Sequence, residues 1–202
     1  MSKRTFDLFF ALIGLIILAP LFLVVSIWIK LDSPGPVFFR QTRIGQFEEK
    51  FQIYKFRTMV VHAEKIGKLI TVGEDNRITR SGKFLRKFKL DELPQLINVL
   101  KGDMSFVGYR PEVPKYVNLY TPEQREIFEI RPGVTDLASI KFRNESDLLA
   151  TAKDPEDLYI SSIMPQKLEL NRQYLTKKSL LFDILIILQT FLAIFKIDIK
   201  QF

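Results

Sequence analysis

From Phe6 to Ile29 the chain runs FDLFFALIGLIILAPLFLVVSIWI, with Asp7 as its one charged residue, and this run constrains the fold more than any other feature. As a straight helix at ~1.5 Å per residue it spans about 36 Å, enough to cross a bilayer core of roughly 30 Å. No small-residue cleavage pattern follows it, so it reads as a retained anchor and not as a signal peptide. Pro20 lies inside the run, where it removes a backbone donor and crowds the preceding turn. A kink or break near Ala19 and Pro20 is therefore expected. Lys3 and Arg4 precede the run and Lys30 follows it, so positive charge does not tell the two ends apart. Two arrangements stay open on these residues. One is a re-entrant hairpin that enters and leaves through one leaflet with Trp28 at the interface; the other is a proline-kinked spanning helix.

A second apolar stretch, residues 180–195, is punctuated by Asp183, Gln189 and Thr190. At about 100° per residue these gather on one side with Lys196, while Phe182, Leu185, Ile186, Leu188 and Leu192 cover the remaining arc. An amphipathic helix lying in the membrane surface would keep Asp183 and Gln189 at the water boundary, and a core helix fits the same pattern. Between the apolar ends, Asp32-Ser33-Pro34-Gly35-Pro36 is a dense turn signal. It divides the chain into a membrane anchor, residues 1–31, and one folded domain, residues 32–202. The domain opens with a hairpin, VFFRQTRI and KFQIYKFRTM around Gly45, which carries Arg40, Arg43, Lys50, Lys55 and Arg57. Helices are expected over residues 60–70, 83–88 and 91–101. The last has apolar residues at 93, 96, 97 and 100, with Gly102 placed for a left-handed cap. Thr121-Pro122-Glu123-Gln124 and Asp154-Pro155-Glu156-Asp157 begin two more. The fold class is α+β, a small mixed domain behind a membrane element.

The net charge of +7 favours polyanionic partners: lipid headgroups, nucleic acid or phosphorylated substrates. With no Cys there is no thiolate nucleophile or Cys-ligated zinc, and with His62 as the one imidazole a multi-His metal site is excluded. The P-loop, the G-x-G-x-x-G fingerprint and the Asp-x-Asp pattern are all absent from the sequence. What remains is Arg86-Lys87-Phe88-Lys89-Leu90-Asp91-Glu92-Leu93-Pro94, an acidic pair expected at a helix N-terminus directly after a basic stretch. Taken alone, such a pair is ordinary helix-cap chemistry. An ionised Asp can also attack phosphorus to form an acyl phosphate, with a neighbouring carboxylate helping to hold a divalent cation. Downstream, Lys101 to Glu112 forms a loop with two glycines and Arg110 before Pro111, the composition expected where backbone approaches an anion. Arg131 and Arg143 stand beside further turns. Together these residues suggest a positively lined cleft near lipid.

At these residues the sequence resembles the bacterial sugar transferases, the monotopic polyprenyl-phosphate sugar phosphotransferases. The resemblance begins at Lys3-Arg4-x-Phe6-Asp7 and continues through Ser33-Pro34-Gly35-Pro36-Val37-Phe38 and Tyr54-Lys55-Phe56-Arg57-Thr58-Met59. It peaks in LDELPQLINVLKGDMSFVGYRPE and runs on through Arg131-Pro132-Gly133-Val134-Thr135. It implies a re-entrant anchor broken at Pro20, a catalytic domain on the cytoplasmic face of the bacterial inner membrane, and the first membrane step of polysaccharide or glycoconjugate assembly. It further implies that Asp91 attacks the sugar-linked phosphate of a UDP-sugar, releasing UMP, and that polyprenyl phosphate then accepts the sugar phosphate. Glu92 would assist with Mg²⁺ or Mn²⁺ held by the Asp91–Glu92 pair. Arg86, Arg110, Arg143, Lys55 and Arg57 would serve phosphate binding and orientation. The sequence departs from the family pattern at Ala19, where Ser is familiar before the proline, at Tyr109, at Asp136-Leu137-Ala138, and at Asn171, where Asp is usual. These departures bear on the donor sugar more than on the reaction.

Two other classes are compatible with parts of the chain. A non-catalytic membrane-surface module would use the basic face for anionic lipid and the acidic pair as a cap. A nucleic-acid binder would stack bases on Phe51, Tyr54 and Phe56, but the membrane anchor and the lack of an RNA-binding signature argue against nucleic acid as a partner.

Overall fold

A computed structural model describes residues 2–63, 73 and 75–194. Helix α1 (Lys3–Asp32) starts at Ser2, whose hydroxyl accepts from the Thr5 N–H, and ends at Ser33, whose N–H donates to the Ile29 carbonyl. It runs through Pro20 as one continuous helix, so the expected break at Ala19–Pro20 is not observed. Proline removes only its own N–H from the ladder, and the flanking turns keep theirs. Among the described residues α1 is the one helix long and apolar enough to cross a membrane.

Both ends of α1 are fastened to the folded domain. At the start, Arg4 donates to the Val99 carbonyl at 2.7 Å and the Asp7 carboxylate accepts from the Phe106 N–H at 3.1 Å. At the end, Asp32 Oδ2 accepts from the Ser81 N–H and hydroxyl at 2.9 and 2.8 Å. The middle is in contact as well. Leu15 and Leu18 pack with Ala11, Ile53, Leu96, Val99 and Met104, and Leu21, Phe22, Val25 and Ile29 pack with Phe56 and Leu85. The opposite face, including Phe9, Leu12, Ile16, Ile17, Leu23 and Val24, is exposed.

The expected hairpin is present: β1 (Phe38–Ile44) pairs antiparallel with β2 (Lys50–Phe56) in the register Phe38 to Phe56 and Ile44 to Lys50. Of the helix expected over residues 60–70, Val61 and His62 form a turn, His62 at a φ of 64°, and the remainder beyond Ala63 lies outside the described residues. Helix α2 (Arg80–Lys87) is capped by the Thr79 hydroxyl. It leads through Lys89, at a φ of 56°, into a 3₁₀ turn, Leu90–Glu92. Helix α3 (Gln95–Lys101) follows and closes at Gly102 with a φ of 94°, the left-handed cap expected there. Strand β3 (Ser105–Val107) pairs parallel with β4 (Gly133–Thr135). Gly108 has a structural reason that the sequence did not suggest: a Cβ there would lie 2.2 Å from the Arg131 carbonyl oxygen, so it serves backbone approach to the β4 segment.

Short helices α4 (Pro114–Val117), α5 (Leu137–Lys141), α6 (Glu145–Ala150) and α7 (Pro155–Leu158) surround the main core. The Thr121–Gln124 capping box forms, with Thr121 N–H donating to Gln124 Oε1 at 3.0 Å, though the element it starts is a 3₁₀ helix, Gln124–Glu129. A π-helical turn, Tyr159–Ile163, passes into α8 (Met164–Lys177). The core gathers Tyr109, Val113, Tyr116, Ile127, Phe128, Leu149, Ile163 and Leu168.

Helix α9 (Leu180–Ile194) combines the two arrangements left open by the sequence, with Asp183 against the domain as in a core helix and an apolar face outward as in a membrane-surface helix. Asp183 is buried, pairing with Lys3 and accepting from the Tyr174 hydroxyl, and the Thr190 hydroxyl meets that of Thr135 at 2.7 Å. The residues facing out are Leu181, Leu185, Leu188, Phe191 and Leu192. The polar side packs on the domain because it finds partners there, and the apolar side is left outward beside a chain end that already carries α1. Exposed apolar surface this extended on a folded chain marks contact with lipid or a partner.

Candidate active site

Lys89 turns the chain so that Asp91 and Glu92 fall inside the 3₁₀ turn, not at the cap of α3. The expected helix-cap placement is therefore corrected: Pro94 precedes α3, and Asp91 makes no capping bond to it. Asp91 is 8% exposed, and its Oδ1 has no hydrogen-bond partner. Glu92 is spoken for. Lys55 Nζ lies 2.8 Å from its Oε1, and the Arg110 guanidinium reaches both of its oxygens, Nη1 lying 3.4 Å from Oε2.

The two carboxylates sit in opposite electrostatic situations. Burial lifts the Asp91 carboxyl above its ordinary range and the adjacent Glu92 charge adds to the lift, against the pull of Lys55, Arg86 and Lys89. For Glu92 burial also acts upward, but Arg110 and Lys55 outweigh it and hold the group well below the usual carboxylate range. Glu92 raises the Arg110 guanidinium in return, while burial lowers the Lys55 ammonium. The arrangement keeps one carboxylate ionised and saturated and leaves its neighbour with an unengaged oxygen.

The structure brings together Asp91, Glu92, Lys55 and Arg110. Arg86 lies close enough for its charge to act on Asp91, and its Nε donates to the Thr58 hydroxyl at 2.8 Å. Arg57 is 4% exposed and turned to the chain that leaves the membrane helix, donating to the Ser33 carbonyl at 2.8 Å and to that of Pro34. Arg143 is exposed in the turn ahead of α6. Arg131 donates from Nε to the Gly102 carbonyl at 2.8 Å.

Sequence reasoning missed several groups. Arg43 pairs with Glu112 at 2.8 Å, and with Lys55, Gln95 and Arg110 it lines a small cleft. A second small cleft shares Arg110 and is lined by Glu112, Tyr159, Lys167 and Asn171. Strand alternation offered a signal for Arg43, whose side chain falls on the same side of β1 as that of Gln41. Lys167, on the long helix α8, carried no local signal. No group of three or more Asp, Glu, His or Cys able to hold a metal by itself occurs among the described residues.

A membrane-length helix thus stands with a buried, unequally paired acidic couple lined by Lys55 and Arg110. The profile of the bacterial sugar transferase family matches residues 1–197, and the chain belongs to that family, a transferase. It is 39% identical over 193 residues to the UDP-N-acetylgalactosamine-undecaprenyl-phosphate N-acetylgalactosaminephosphotransferase of Aeromonas hydrophila, covering 93% of this chain and 42% of that one. It is 48% identical over 133 residues to a putative undecaprenyl-phosphate N-acetylgalactosaminyl 1-phosphate transferase of Bacillus subtilis, covering 66% of this chain and 70% of the relative. A UDP-glucose:undecaprenyl-phosphate glucose-1-phosphate transferase of Caulobacter vibrioides is 37% identical, over 94% of this chain and 68% of its own length. The chain thus spans under half of the Aeromonas relative and about two thirds of the other two.

Proposed function

We propose that this protein transfers a sugar 1-phosphate from a UDP-sugar to polyprenyl phosphate, with release of UMP, as a membrane step in polysaccharide or glycoconjugate assembly. The observation that carries this reading is Asp91: a buried carboxylate with one oxygen unpartnered, beside a saturated Glu92, in a chain whose relatives are named for this reaction. A carboxylate oxygen of Asp91 attacks the sugar-linked phosphorus, the bond from that phosphorus to the bridging oxygen breaks, and UMP leaves. An oxygen of the lipid phosphate then attacks the same phosphorus, the aspartyl bond breaks, and the carboxylate is regenerated. Arg110 and Lys55, fixed by Glu92, set positive charge where donor phosphates approach.

The unpartnered Oδ1 of Asp91 fits a divalent cation, since one carboxylate plus substrate phosphate oxygens is a common Mg²⁺ set. Bound there, Mg²⁺ or Mn²⁺ would neutralise phosphate charge, with Asp91 as first ligand and Glu92, held by its cations, acting from beside it.

Two features favour a monotopic placement of α1 on the cytoplasmic side: the domain holds both helix ends, and basic residues flank both. The decisive experiment is mass spectrometry of the protein after addition of a UDP-sugar with acceptor withheld. A phosphosugar adduct on Asp91, with UMP released in a burst, is expected. Active overall transfer without that adduct would replace the two-step route with direct attack by the lipid phosphate.

A further inference from the structure

Helix α2 has two faces of opposite character. Ser81, Gly82 and Leu85 are buried, and a Cβ on Gly82 would lie 2.1 Å from the Thr58 carbonyl oxygen, so the helix is seated directly on backbone. The exposed stripe is Arg80, Lys83, Phe84, Lys87 and Phe88, at i, i+3, i+4, i+7 and i+8, so cations and aromatic rings share one side. The Phe84 ring is 5.3 Å from that of Trp28 on α1 and 4.7 Å from that of Phe88. These three rings are 39–44% exposed. Lys87 Nζ lies 5.5 Å from the centre of the Phe88 ring. Directly beyond Phe88, Lys89 turns the chain into the segment that bears Asp91. A line of three rings therefore runs from the membrane helix along α2 with cations beside it, and Lys89, the next residue after the last ring, is close enough for its charge to act on Asp91.

A bulk anionic lipid would satisfy rings and cations alike but gains nothing from their lying next to Lys89 and the segment that bears Asp91. A long apolar chain with one terminal phosphate matches both the rings and the charges. We infer that this stripe binds the acceptor: the polyprenyl chain lies against Trp28, Phe84 and Phe88, and Lys87 and Lys89 lead its phosphate to Asp91. This rests on the transferase reading and adds to it where the acceptor docks.

The test is photocrosslinking of the full chain in phosphatidylcholine nanodiscs with a prenyl phosphate that carries a benzophenone in its hydrocarbon part. Label is expected at Trp28 or within residues 84–88, competed by undecaprenyl phosphate and not by phosphatidylglycerol. Label elsewhere overturns the proposal, and equal competition by phosphatidylglycerol makes the stripe a general headgroup surface instead. Crosslinking needs no turnover, so its failure is distinguishable from failure of the transferase reading, which the Asp91 adduct tests. In kinetics, the Phe84→Ala, Phe88→Ala double variant should raise KM for the acceptor about tenfold through lost apolar contact, with KM for the UDP-sugar holding. An unchanged acceptor KM, or a parallel rise in both constants, counts against the site.

Discussion

Lys55 Nζ lies 2.8 Å from Glu92 Oε1, with both side chains largely shielded from solvent. The Arg110 guanidinium completes the set, so Glu92 is a fixed anion while Asp91, one residue before it, is under repulsion and burial without a partner for Oδ1. The two amide substitutions should consequently diverge. Asp91→Asn removes a strained charge and should leave Tm unchanged or higher by a few degrees, roughly 2–4 °C per kcal/mol for a chain of this size, while abolishing adduct and transfer. Glu92→Gln strands Lys55 and Arg110 and should cost about 1–3 kcal/mol of stability. Thermal denaturation run beside the transfer assay checks both. A destabilised Asp91→Asn protein would contradict the electrostatic picture.

The placement of α1 yields a second expectation. A helix that crosses the bilayer carries one end away from the domain by the thickness of the membrane, yet here Arg4 and Asp32 are both bonded to it. The sequence has no Cys, so single cysteines at Ser2 and Pro36 can be read against a clean background. In intact cells both should resist a membrane-impermeant maleimide and both should react once the cells are permeabilised. Reaction of one site alone would establish a spanning helix.

Local pattern made part of this architecture legible. Two β-rich runs around Gly45 marked the β1–β2 hairpin, and the apolar spacing with Gly102 marked the end of α3. The acidic pair drew attention by following directly on a basic stretch, and the family resemblance at those residues gave it a role. What the pattern could not supply was pairing across distance: Glu92 meets Lys55 and Arg110, 37 and 18 residues away. Arg57 shows the same limit, since beside Lys55 it reads as another phosphate ligand, and only the fold turns it onto the carbonyls that follow α1. The choice left open for α9 had the same cause, because Asp183 suits either a water boundary or a core until Lys3 is placed beside it.

Glu112 should contribute to an acid limb of stability alongside Glu92. Burial acts to raise its carboxyl, but Arg43 and Lys167, the Tyr159 hydroxyl and the Val113 N–H together hold it below its ordinary value. A carboxyl depressed in the folded state contributes stability that is fully present above its unfolded value near 4.5 and is lost as pH falls through the folded one. Chemical denaturation should therefore show stability falling as pH drops below about 4.5, where the unfolded chain binds the proton first. Glu112→Gln should flatten this part of the profile and lower stability at neutral pH by about 1–3 kcal/mol, since Arg43 loses its carboxylate partner. A wild-type slope preserved in the variant would assign the acid limb to other carboxylates.

The inward turn of α9 rests on Asp183, which is buried beneath the helix and reached by both Lys3 and the Tyr174 hydroxyl. Lys3 also donates to the Val107 carbonyl at 2.9 Å, so one ammonium ties the start of the membrane helix to β3 and to α9. Asp183→Asn keeps the shape but removes the charge that Lys3 faces, and should cost about 1–3 kcal/mol. Lys3→Met leaves the carboxylate with Tyr174 alone and should cost a similar amount. Because the two residues share one interaction, the double variant should lose less than the sum of the singles, and the size of that shortfall reports the coupling. The surface control is Leu188→Ala: its side chain faces outward, and removing it should leave Tm in detergent nearly unchanged while weakening retention of the protein on vesicles. Strict additivity of Lys3→Met and Asp183→Asn would show that the contact does not hold α9 in place.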